Sequence, residues 1–352
     1  MPSPSANKSL TAAKAAKQDE FYTQLSDIEK ELRHYTAHFE GKTVLCNCDD
    51  PRKSNFFHYF SHNFERLKLK KLISTCYKSS NPDLFSQHDA ERGAYLVYEG
   101  DKDGDRVPGP DEIIVCTFQG DGDFRSPECV ALLEEADIVV TNPPFSLFRE
   151  YVQQLVEHDK KFLIVGSANA ITYKEIFPLV KDGRIWLGYT HPAAFVVPDH
   201  YEMRSVRSWR DENGTNWRSL GNACWFTNLD IAKRHEDLIL VKRYTPADYP
   251  RYDNYDAIEV SVYKNIPEDF DGVMGVPITF LEHHNPDQFE IVGTTESNDP
   301  DNACRTRVYT SQEGRDAYQK RFGKSGTYDL NASGVVGDVK VFKRILIRKT
   351  SK

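Results

Sequence analysis

The sequence predicts an α/β fold built around a mostly parallel, doubly wound sheet. Short apolar runs recur along the first half of the chain, and helix-compatible or polar stretches separate most of them. Near-continuous apolar strands that alternate with helices are typical of a parallel sheet covered on both faces. The predicted strands are residues 43–46, 70–76, 113–117, 138–140 and 162–165.

The region before the first predicted strand contains an arm and a helix. Residues 1–18 are rich in Ser, Ala and Lys, which predicts a flexible basic arm. Between Phe21 and Phe39, apolar residues recur at steps of three and four, which predicts a helix with one buried face. Together with the strands that follow, this helix is expected to belong to a first domain that comprises residues 19–185.

The second half of the chain differs from the first in composition and in sequence pattern. Residues 186–322 are aromatic, rich in Arg and irregular, although residues 223–227 keep the pattern of a core strand. Residues 323–352 are predicted to form a basic strand segment. The formal net charge of the chain is −8, whereas residues 301–352 carry twelve Lys/Arg and five Asp/Glu, a charge of +7. The overall charge argues against a generally basic nucleic-acid binder, and the basic end is either a binding face or a solvated tail.

Composition indicates a globular protein of the cytoplasm. The chain has 352 residues, and its hydrophobic content of 39% is enough for a core. No apolar run is long enough for a membrane span, and the start lacks the apolar segment of a secretory signal. The seven cysteines form no CxxC pair and are expected to be reduced, and no metal site is expected.

The most informative motif is the tetrapeptide Asn142-Pro143-Pro144-Phe145, which lies between a strand-like and a helix-like run. This position is the carboxyl end of a buried strand, where ligands bind in open α/β sheets. The Asn142 side-chain oxygen can accept one hydrogen of an NH2 group, and a proline carbonyl can accept the other. Two such acceptors free the nitrogen lone pair to attack a sulfonium methyl group. The prolines restrict the backbone and so fix the positions of the acceptors, and Phe145 offers a flat face to a planar base. The motif therefore predicts methyl transfer to an amino or amide nitrogen.

Two further polar loops lie next to predicted strands. Residues 47–56 follow the first strand, and residues 120–124 precede the strand that leads to the tetrapeptide. Acidic groups at strand ends suit the hydroxyls or amines of a nucleoside-bearing cofactor, and glycines let the backbone approach it. Each loop alone can also be a simple turn. Their placement on successive strands favours a cofactor site.

These motifs resemble those of the EcoRI-type adenine-N6 DNA methyltransferases. The resemblance rests on residues 19–24, 46–51, 120–126 and 141–151, and it extends through most of the chain. It implies the Rossmann-like fold of the S-adenosylmethionine-dependent methyltransferases, with a target-recognition region, residues 186–322, after the catalytic motifs. The cofactor-binding residues that it implies are Phe21, Tyr22 and Thr23 for the methionine part, Asn47, Asp50 and Pro51 in the first loop, and Asp121 or Asp123 with Phe124 near the adenine.

The resemblance also implies a function. The expected enzyme transfers a methyl group from S-adenosylmethionine to N6 of an adenine that is flipped out of a short duplex site, for which the resemblance suggests GAATTC. It is expected to be a monomer and the protective half of a restriction system. Phe145 is one face of the base pocket, and Trp225 is either the other face or part of the core.

Contacts with double-stranded DNA are assigned to basic residues of the arm and of the second half, and to Trp225. Arginines can read guanine through bidentate hydrogen bonds or contact phosphates without reading sequence, and both roles stay open. The predicted DNA-binding residues are Arg204, Arg207, Arg210, Arg218, Trp225, Lys14 and Lys17.

Two other functions are compatible with the tetrapeptide. One is methylation of an amino group in RNA or of a protein glutamine, and the long Arg-rich and Trp-rich second half favours DNA over both. The other is DNA binding without catalysis. This alternative is disfavoured because Asn142 and Phe145 are both present.

Overall fold

The computed structural model describes residues 21–48, 54–76, 93–105, 107–198, 201–203, 205–296 and 303–350. The chain divides into two compact units. The first comprises Met1–Ala170 with Leu187–Leu229, and the second comprises Ile171–Trp186 with Asp230–Lys352. The predicted basic arm, residues 1–18, and the predicted site residues Lys14, Lys17, Asp50, Pro51 and Arg204 lie outside the described residues.

The helices are short, and among the described residues none is long and apolar enough to cross a membrane. The α-helices are α1 (Leu25–Leu32), α2 (Thr36–Phe39), α3 (Asn55–His62), α4 (Phe64–Leu67), α5 (Pro127–Glu135), α6 (Phe148–Glu157), α7 (Phe177–Lys181) and α8 (Ser311–Phe322). The 3-10 segments are Ala168–Thr172, Ala232–His235, Tyr263–Asn265, Ile278–His283 and Leu330–Ala332.

The strands are short as well, and they fall into two groups along the chain. Those before residue 230 are β1 (Tyr22–Thr23), β2 (Thr43–Asn47), β3 (Lys71–Cys76), β4 (Ala94–Tyr98), β5 (Ile113–Thr117), β6 (Ile138–Thr141), β7 (Lys161–Ser167), β8 (Trp186–Leu187), β9 (Phe195–Val196), β10 (Ser208–Arg210), β11 (Asn216–Arg218) and β12 (Ala223–Thr227). Those after it are β13 (Ile258–Glu259), β14 (Met274–Val276), β15 (Phe289–Thr294), β16 (Val335–Val336), β17 (Val339–Lys340) and β18 (Ile345–Lys349).

The central sheet confirms the predicted α/β fold. Its strand order is β5-β4-β3-β2-β6-β7-β12-β8. The inner strands β3, β2, β6 and β7 are parallel, and β4 and β12 join them in antiparallel on either side. All residues of β2 and β6 are buried, which explains why both have continuous apolar sequences. The predicted core strand at residues 223–227 is β12, and it pairs with β7.

Strand β5 differs from the expectation of a covered parallel strand. It lies at the edge of the sheet and pairs with β4 in antiparallel. Ile114 and Val115 are 47% and 68% exposed. An apolar run predicts a strand, but the elements that cover the strand are set by chain topology rather than by local sequence.

The helix predicted between Phe21 and Phe39 is also shorter than expected. Its first part is extended, because β1 pairs with β9 in antiparallel and places Tyr22 opposite Val196. The helix α1 follows, and Ile28 is fully buried on its inner face as predicted. A local helical pattern is overridden here by pairing with a strand that is distant in sequence.

A second sheet of the first unit has the order β1-β9-β11-β10. Its outer strands β10 and β11 form a hairpin in which Trp209 lies opposite Trp217. The sheet links β1 with the Arg-rich segment in which the predicted DNA-binding arginines lie.

The second unit contains a sheet of order β13-β14-β18-β15. The predicted C-terminal basic strand, β18, is therefore an inner strand. A buried ion pair lies next to it, where Arg344 Nε donates to Glu259 Oε1 at 3.0 Å and the two residues are 8% and 6% exposed. The Tyr252 hydroxyl donates to the same carboxylate, which gives the buried charge a further partner.

Candidate active site

The Asn-Pro-Pro-Phe tetrapeptide follows directly on β6, at the carboxyl end of a central strand. Asn142 is 5% exposed, and its Nδ2 donates to the Phe21 carbonyl oxygen and, at 3.1 Å, to Thr23 Oγ1. Because the Phe21 carbonyl can only accept, these bonds determine which atom of the amide is the donor. The other atom, Asn142 Oδ1, is buried and has no hydrogen-bond partner among the described residues.

An unpaired Oδ1 is unusual for a buried amide. Leaving a buried acceptor without a donor costs about 1–3 kcal/mol, and most such atoms are paired in native proteins. An unpaired buried acceptor is tolerated at a binding site, where a bound ligand supplies the missing donor. At the end of a parallel strand, where ligands bind in open α/β sheets, Asn142 Oδ1 is thus a candidate acceptor for a hydrogen-bond donor of a ligand.

The carbonyls of the two prolines are not equivalent. The Pro144 oxygen accepts the Leu147 N–H at 2.9 Å in the turn that leads into α6. The Pro143 oxygen accepts no hydrogen bond from the described part of the chain. The predicted pair of acceptors therefore narrows to Asn142 Oδ1 and the Pro143 carbonyl.

An aromatic cluster forms an apolar wall beside Asn142. The centre of the Phe21 ring lies 5.5 Å from that of Phe145, 5.8 Å from Phe195 and 6.1 Å from Tyr201. Phe195 is fully buried, whereas Phe145 and Tyr201 are half-buried. Sequence reasoning missed Tyr201, because no local pattern marks one tyrosine of 18 as a neighbour of the tetrapeptide.

Asn47 is the last residue of β2, and its side chain is hydrogen-bonded within the protein. The Tyr151 hydroxyl donates to Asn47 Oδ1, and the Thr141 hydroxyl donates to the Asn47 carbonyl. Tyr151 is fully buried, and burial raises the pKa of its hydroxyl well above the usual value. The next residue, Cys48, has a φ of +94°, which non-glycine residues rarely adopt. The chain thus turns sharply where the predicted first cofactor loop begins.

Tyr151 also contacts the Gly-Asp-Gly-Asp-Phe loop. The Phe124 ring packs edge-on against the Tyr151 ring, with centroids 5.2 Å apart. Asp123 pairs with Arg125 at 2.7 Å, and this pairing raises the pKa of Arg125. In the described residues, Asp121 accepts the Asp123 N–H at 3.1 Å through one carboxylate oxygen. Asp121 is therefore the better candidate to accept a hydroxyl or amine of a cofactor, and Tyr151 is a functional candidate that sequence reasoning did not single out.

Three of the predicted DNA-binding arginines lie on or beside the β10–β11 hairpin. Trp209, which is 44% exposed, stacks on Trp217 across this hairpin with ring centres 6.1 Å apart. Each arginine has a hydrogen-bond partner within the protein. These partners are the Leu220 carbonyl for Arg207, the Asn216 side chain for Arg210 and the Ser208 hydroxyl for Arg218.

Trp225 lies in the core. It belongs to β12, it has no exposed surface, and its ring contacts Phe56 edge-on at 6.1 Å. No face of the ring is open to a base in this structure. Of the two roles that the sequence left open for Trp225, its position matches core packing.

Among the residues that the structure describes, one group of carboxylates could hold a cation. Asp101, Asp103 and Asp105 bring one oxygen each within 4.8 Å of the others. Exposed acidic groups of this kind are common without an ion, so no metal is assigned to them.

Comparison with known proteins identifies the family. A family model described as adenine-specific methyltransferase EcoRI matches residues 9–350. The type II methyltransferase M.EcoRI of Escherichia coli is 53% identical over 291 residues, which cover 81% of this chain and 89% of that protein. The type II methyltransferase M.MpnI of Mycoplasma pneumoniae is 40% identical over 286 residues, covering 80% of this chain and 83% of that protein. M.MgeORF184P of Mycoplasma genitalium is 38% identical over 288 residues, with 80% and 84% covered. No solved structure gave a significant match. The chain therefore belongs to the EcoRI-type family of adenine-specific methyltransferases.

Proposed function

We propose that this chain transfers a methyl group from S-adenosylmethionine to N6 of an adenine in duplex DNA. The observation that carries the proposal is the buried, unpaired Oδ1 atom of Asn142 at the end of β6. Membership of an adenine-specific methyltransferase family supplies the reaction class.

The two acceptors of the tetrapeptide account for the activation of the amino group. Adenine N6 carries two hydrogens, and Asn142 Oδ1 accepts one while the Pro143 carbonyl accepts the other. With both hydrogens held, the N6 lone pair leaves conjugation with the ring and becomes nucleophilic. S-adenosylmethionine, when bound, supplies the electrophilic methyl group, and cleavage of its sulfur–methyl bond would leave S-adenosylhomocysteine as the product. Methylated N6 is positively charged and loses a proton readily, so the site needs acceptors rather than a strong base.

An adenine within a duplex cannot reach Asn142, so the base must be flipped out of the helix. Phe145 and Tyr201 both contact the Phe21 ring, but no ring contact joins them to each other in the described residues. Two rings that enclose a base lie about 7 Å apart, since each stacking contact takes about 3.5 Å. We assign the flipped adenine to the space between Phe145 and Tyr201, with Tyr201 in the role that the sequence considered for Trp225.

We assign the cofactor to the loops that Tyr151 connects. Asp121 has a carboxylate oxygen available for a hydroxyl or amine of the adenosine part, and Phe124 offers an apolar face beside it. Asn47 and the segment from Phe21 to Thr23 would contact the methionine part. These assignments follow the family resemblance, and the contacts of Tyr151 with Asn47 and Phe124 support them.

The remaining features of the proposal concern the biological setting. We propose a cytoplasmic monomer that methylates GAATTC and protects DNA from a matching endonuclease. The names of the relatives, which are type II methyltransferases, support the pairing with a restriction enzyme.

To test the proposal, the purified protein is incubated with radiolabelled S-adenosylmethionine and each of three substrates. They are a plasmid that contains GAATTC, cellular RNA, and a protein extract whose glutamines are unmodified. A matched plasmid without GAATTC is the control for site specificity. The proposal expects label in the first plasmid alone and resistance of that plasmid to an endonuclease that cleaves GAATTC. Label in RNA or protein but not in DNA would establish the alternative amino-group substrate.

A further inference from the structure

The helix α8 of the second unit has two faces of different character. On its inner face, Gly314 is buried, and an added Cβ would lie 2.3 Å from the Tyr328 carbonyl oxygen. Ala317 and Tyr328 pack against a core cluster of Tyr309, Leu330 and Val335. The position of Gly314 therefore excludes a larger side chain, and the inner face of α8 packs against this cluster.

Both ends of α8 are fixed as well. At the start, Thr310 Oγ1 accepts the Glu313 N–H at 3.3 Å, and Glu313 Oε2 accepts the Thr310 N–H at 2.7 Å, which forms a capping box. At the end, Gly323 adopts a left-handed conformation with φ +65°. Lys320 pairs with Asp338 at 2.8 Å. The twelve residues thus form a helix that is capped at both ends and is about 18 Å long at about 1.5 Å per residue.

The outer face of α8 presents three long polar side chains, Gln312, Arg315 and Gln319, which are all exposed. Their spacing of three and four residues places them on one side of the helix. Arg315 donates to Gln312 Oε1 at 2.7 Å, and Gln312 donates to Asp316 at 2.7 Å. These bonds lie within the helix itself. In the described residues, no side chain of this face bonds to another element. A partner can therefore replace the bonds within the helix at little cost in free energy.

The three residue types match the edges of base pairs. Arg forms bidentate hydrogen bonds with guanine, and Gln forms them with adenine, in the major groove. By contrast, Arg207 and Arg210 donate to the Leu220 carbonyl and to the Asn216 side chain, which ties them to the hairpin and its flanking loop. Arg218 donates to Ser208 through Nη1, and its buried Nε has no partner in the described residues. The bonds of Arg315 stay within α8, so its guanidinium group is more available for reading sequence than those of Arg207 and Arg210.

The charge of the segment around α8 also favours DNA as its partner. Residues 301–352, which include α8, carry a net charge of +7, whereas the whole chain carries −8. Within this segment Arg344 is buried and paired with Glu259, whereas Arg315 and Lys324 are exposed, and exposed cationic side chains attract DNA. The major groove, about 12 Å wide, admits one α-helix.

We propose that α8 enters the major groove of the target duplex and that Gln312, Arg315 and Gln319 read base edges there. This inference rests on the proposed function, since it names the residues that choose the site to be methylated. It assigns direct base reading to α8 rather than to the arginines of the hairpin.

The test compares methylation patterns on a DNA library in which the bases of the target site are randomised. Methylated positions are read by sequencing after reaction with the wild-type protein, Arg315→Ala, Gln319→Ala, and the control Arg321→Ala. Arg321 is exposed on the same helix, about 120° of helical rotation away from Arg315 at about 100° per residue. Removal of a base-reading side chain is expected to lower the rate at the preferred site about 5- to 150-fold. It should also admit other base pairs at one position, a G·C position for Arg315→Ala and an A·T position for Gln319→Ala.

The possible outcomes separate this proposal from the proposed function. Arg321→Ala should keep the wild-type pattern and rate, and thermal unfolding should be the same for all four proteins because the side chains are exposed. If the wild-type protein methylates a defined site and both Arg315→Ala and Gln319→Ala keep that site preference, α8 does not read bases. A uniform loss of rate with a flatter salt dependence would make α8 a phosphate-binding element and would also overturn the proposal. If the wild-type protein methylates no DNA, the proposed function itself fails and the role of α8 fails with it.

Discussion

Replacement of Asn142 by Ala bears most directly on the chemistry of the site. The change removes the Oδ1 acceptor and also the two hydrogen bonds that Nδ2 donates to Phe21 and Thr23. These losses affect different quantities. Oδ1 has no partner in the described protein, so its loss acts on bound substrate. The bonds of Nδ2 hold β1, so their loss acts on the folded state.

The structure indicates the size of both effects. Removing one preorganised hydrogen-bonding group from a transition-state site lowers kcat about 10²–10³-fold, or about 3–4 kcal/mol. A net contribution of about 0.5–1.5 kcal/mol for each hydrogen bond predicts that the free energy of unfolding falls by about 1–3 kcal/mol. Removal of the unpaired buried acceptor offsets part of that loss. We therefore expect a folded variant with at least a hundredfold slower methyl transfer and a much smaller loss of affinity for S-adenosylmethionine, because the Nδ2 bonds reach residues that we assign to the cofactor.

Single-turnover transfer to a GAATTC duplex measures the chemical step, and calorimetry measures cofactor affinity. The matched control is Asn285→Ala, because Asn285 is 2% exposed and donates to Asp237 at 2.9 Å in the second unit. This control should lose stability but keep the chemical rate. A rate for Asn142→Ala within tenfold of the wild-type rate would refute the acceptor role, as would an equal loss of rate in the control.

Three further predictions concern the base pocket, the cofactor loops and the basic arm. Phe145→Ala should weaken retention of the flipped base more than duplex binding, and 2-aminopurine fluorescence at the target position should fall when this variant replaces the wild-type protein; unchanged fluorescence would make Phe145 a packing residue. Tyr151→Phe removes the bond to Asn47 and should raise the Kd for S-adenosylmethionine about fivefold to tenfold, as expected from about 1 kcal/mol per bond. Tyr35→Phe, which removes a buried hydroxyl bonded to Glu31, is its control, and an equal rise in Kd for both would point to general destabilisation. Deletion of residues 1–18, with Lys8, Lys14 and Lys17, should flatten the slope of log affinity against log salt by about one unit for each phosphate that the arm neutralises; an unchanged slope would show that the arm does not touch DNA.

The sequence predicted the parts of the fold that depend on local burial. The strands β2 and β6 are covered along their whole length, and such strands must be apolar at every position. The runs on either side of the tetrapeptide predict its position at a strand end, and the structure has it there. The α/β class was predictable for the same reason, whereas the family resemblance rests on the motifs at residues 19–24, 46–51, 120–126 and 141–151.

The remaining features depend on pairing between distant segments. β1 is extended because it pairs with β9, and Tyr201 reaches Phe21 from the segment after β9. Neither contact leaves a local pattern. Trp225 illustrates the same limit, since a large aromatic residue in an apolar run suits both a core and a base pocket until the sheet is known. The distinction between Pro143 and Pro144 required the turn into α6.

The identity of the atom that receives the methyl group tests the central claim most directly. A GAATTC duplex labelled with nitrogen-15 at the adenine amino groups is reacted with S-adenosylmethionine that carries a carbon-13 methyl group. Digestion to nucleosides, followed by mass spectrometry and NMR, then shows which atoms are bonded. We predict N6-methyldeoxyadenosine with a direct bond between carbon-13 and nitrogen-15. A methyl group on a ring nitrogen or on cytosine, or DNA without label, would contradict the assignment of Asn142 and the Pro143 carbonyl as the acceptors for adenine N6.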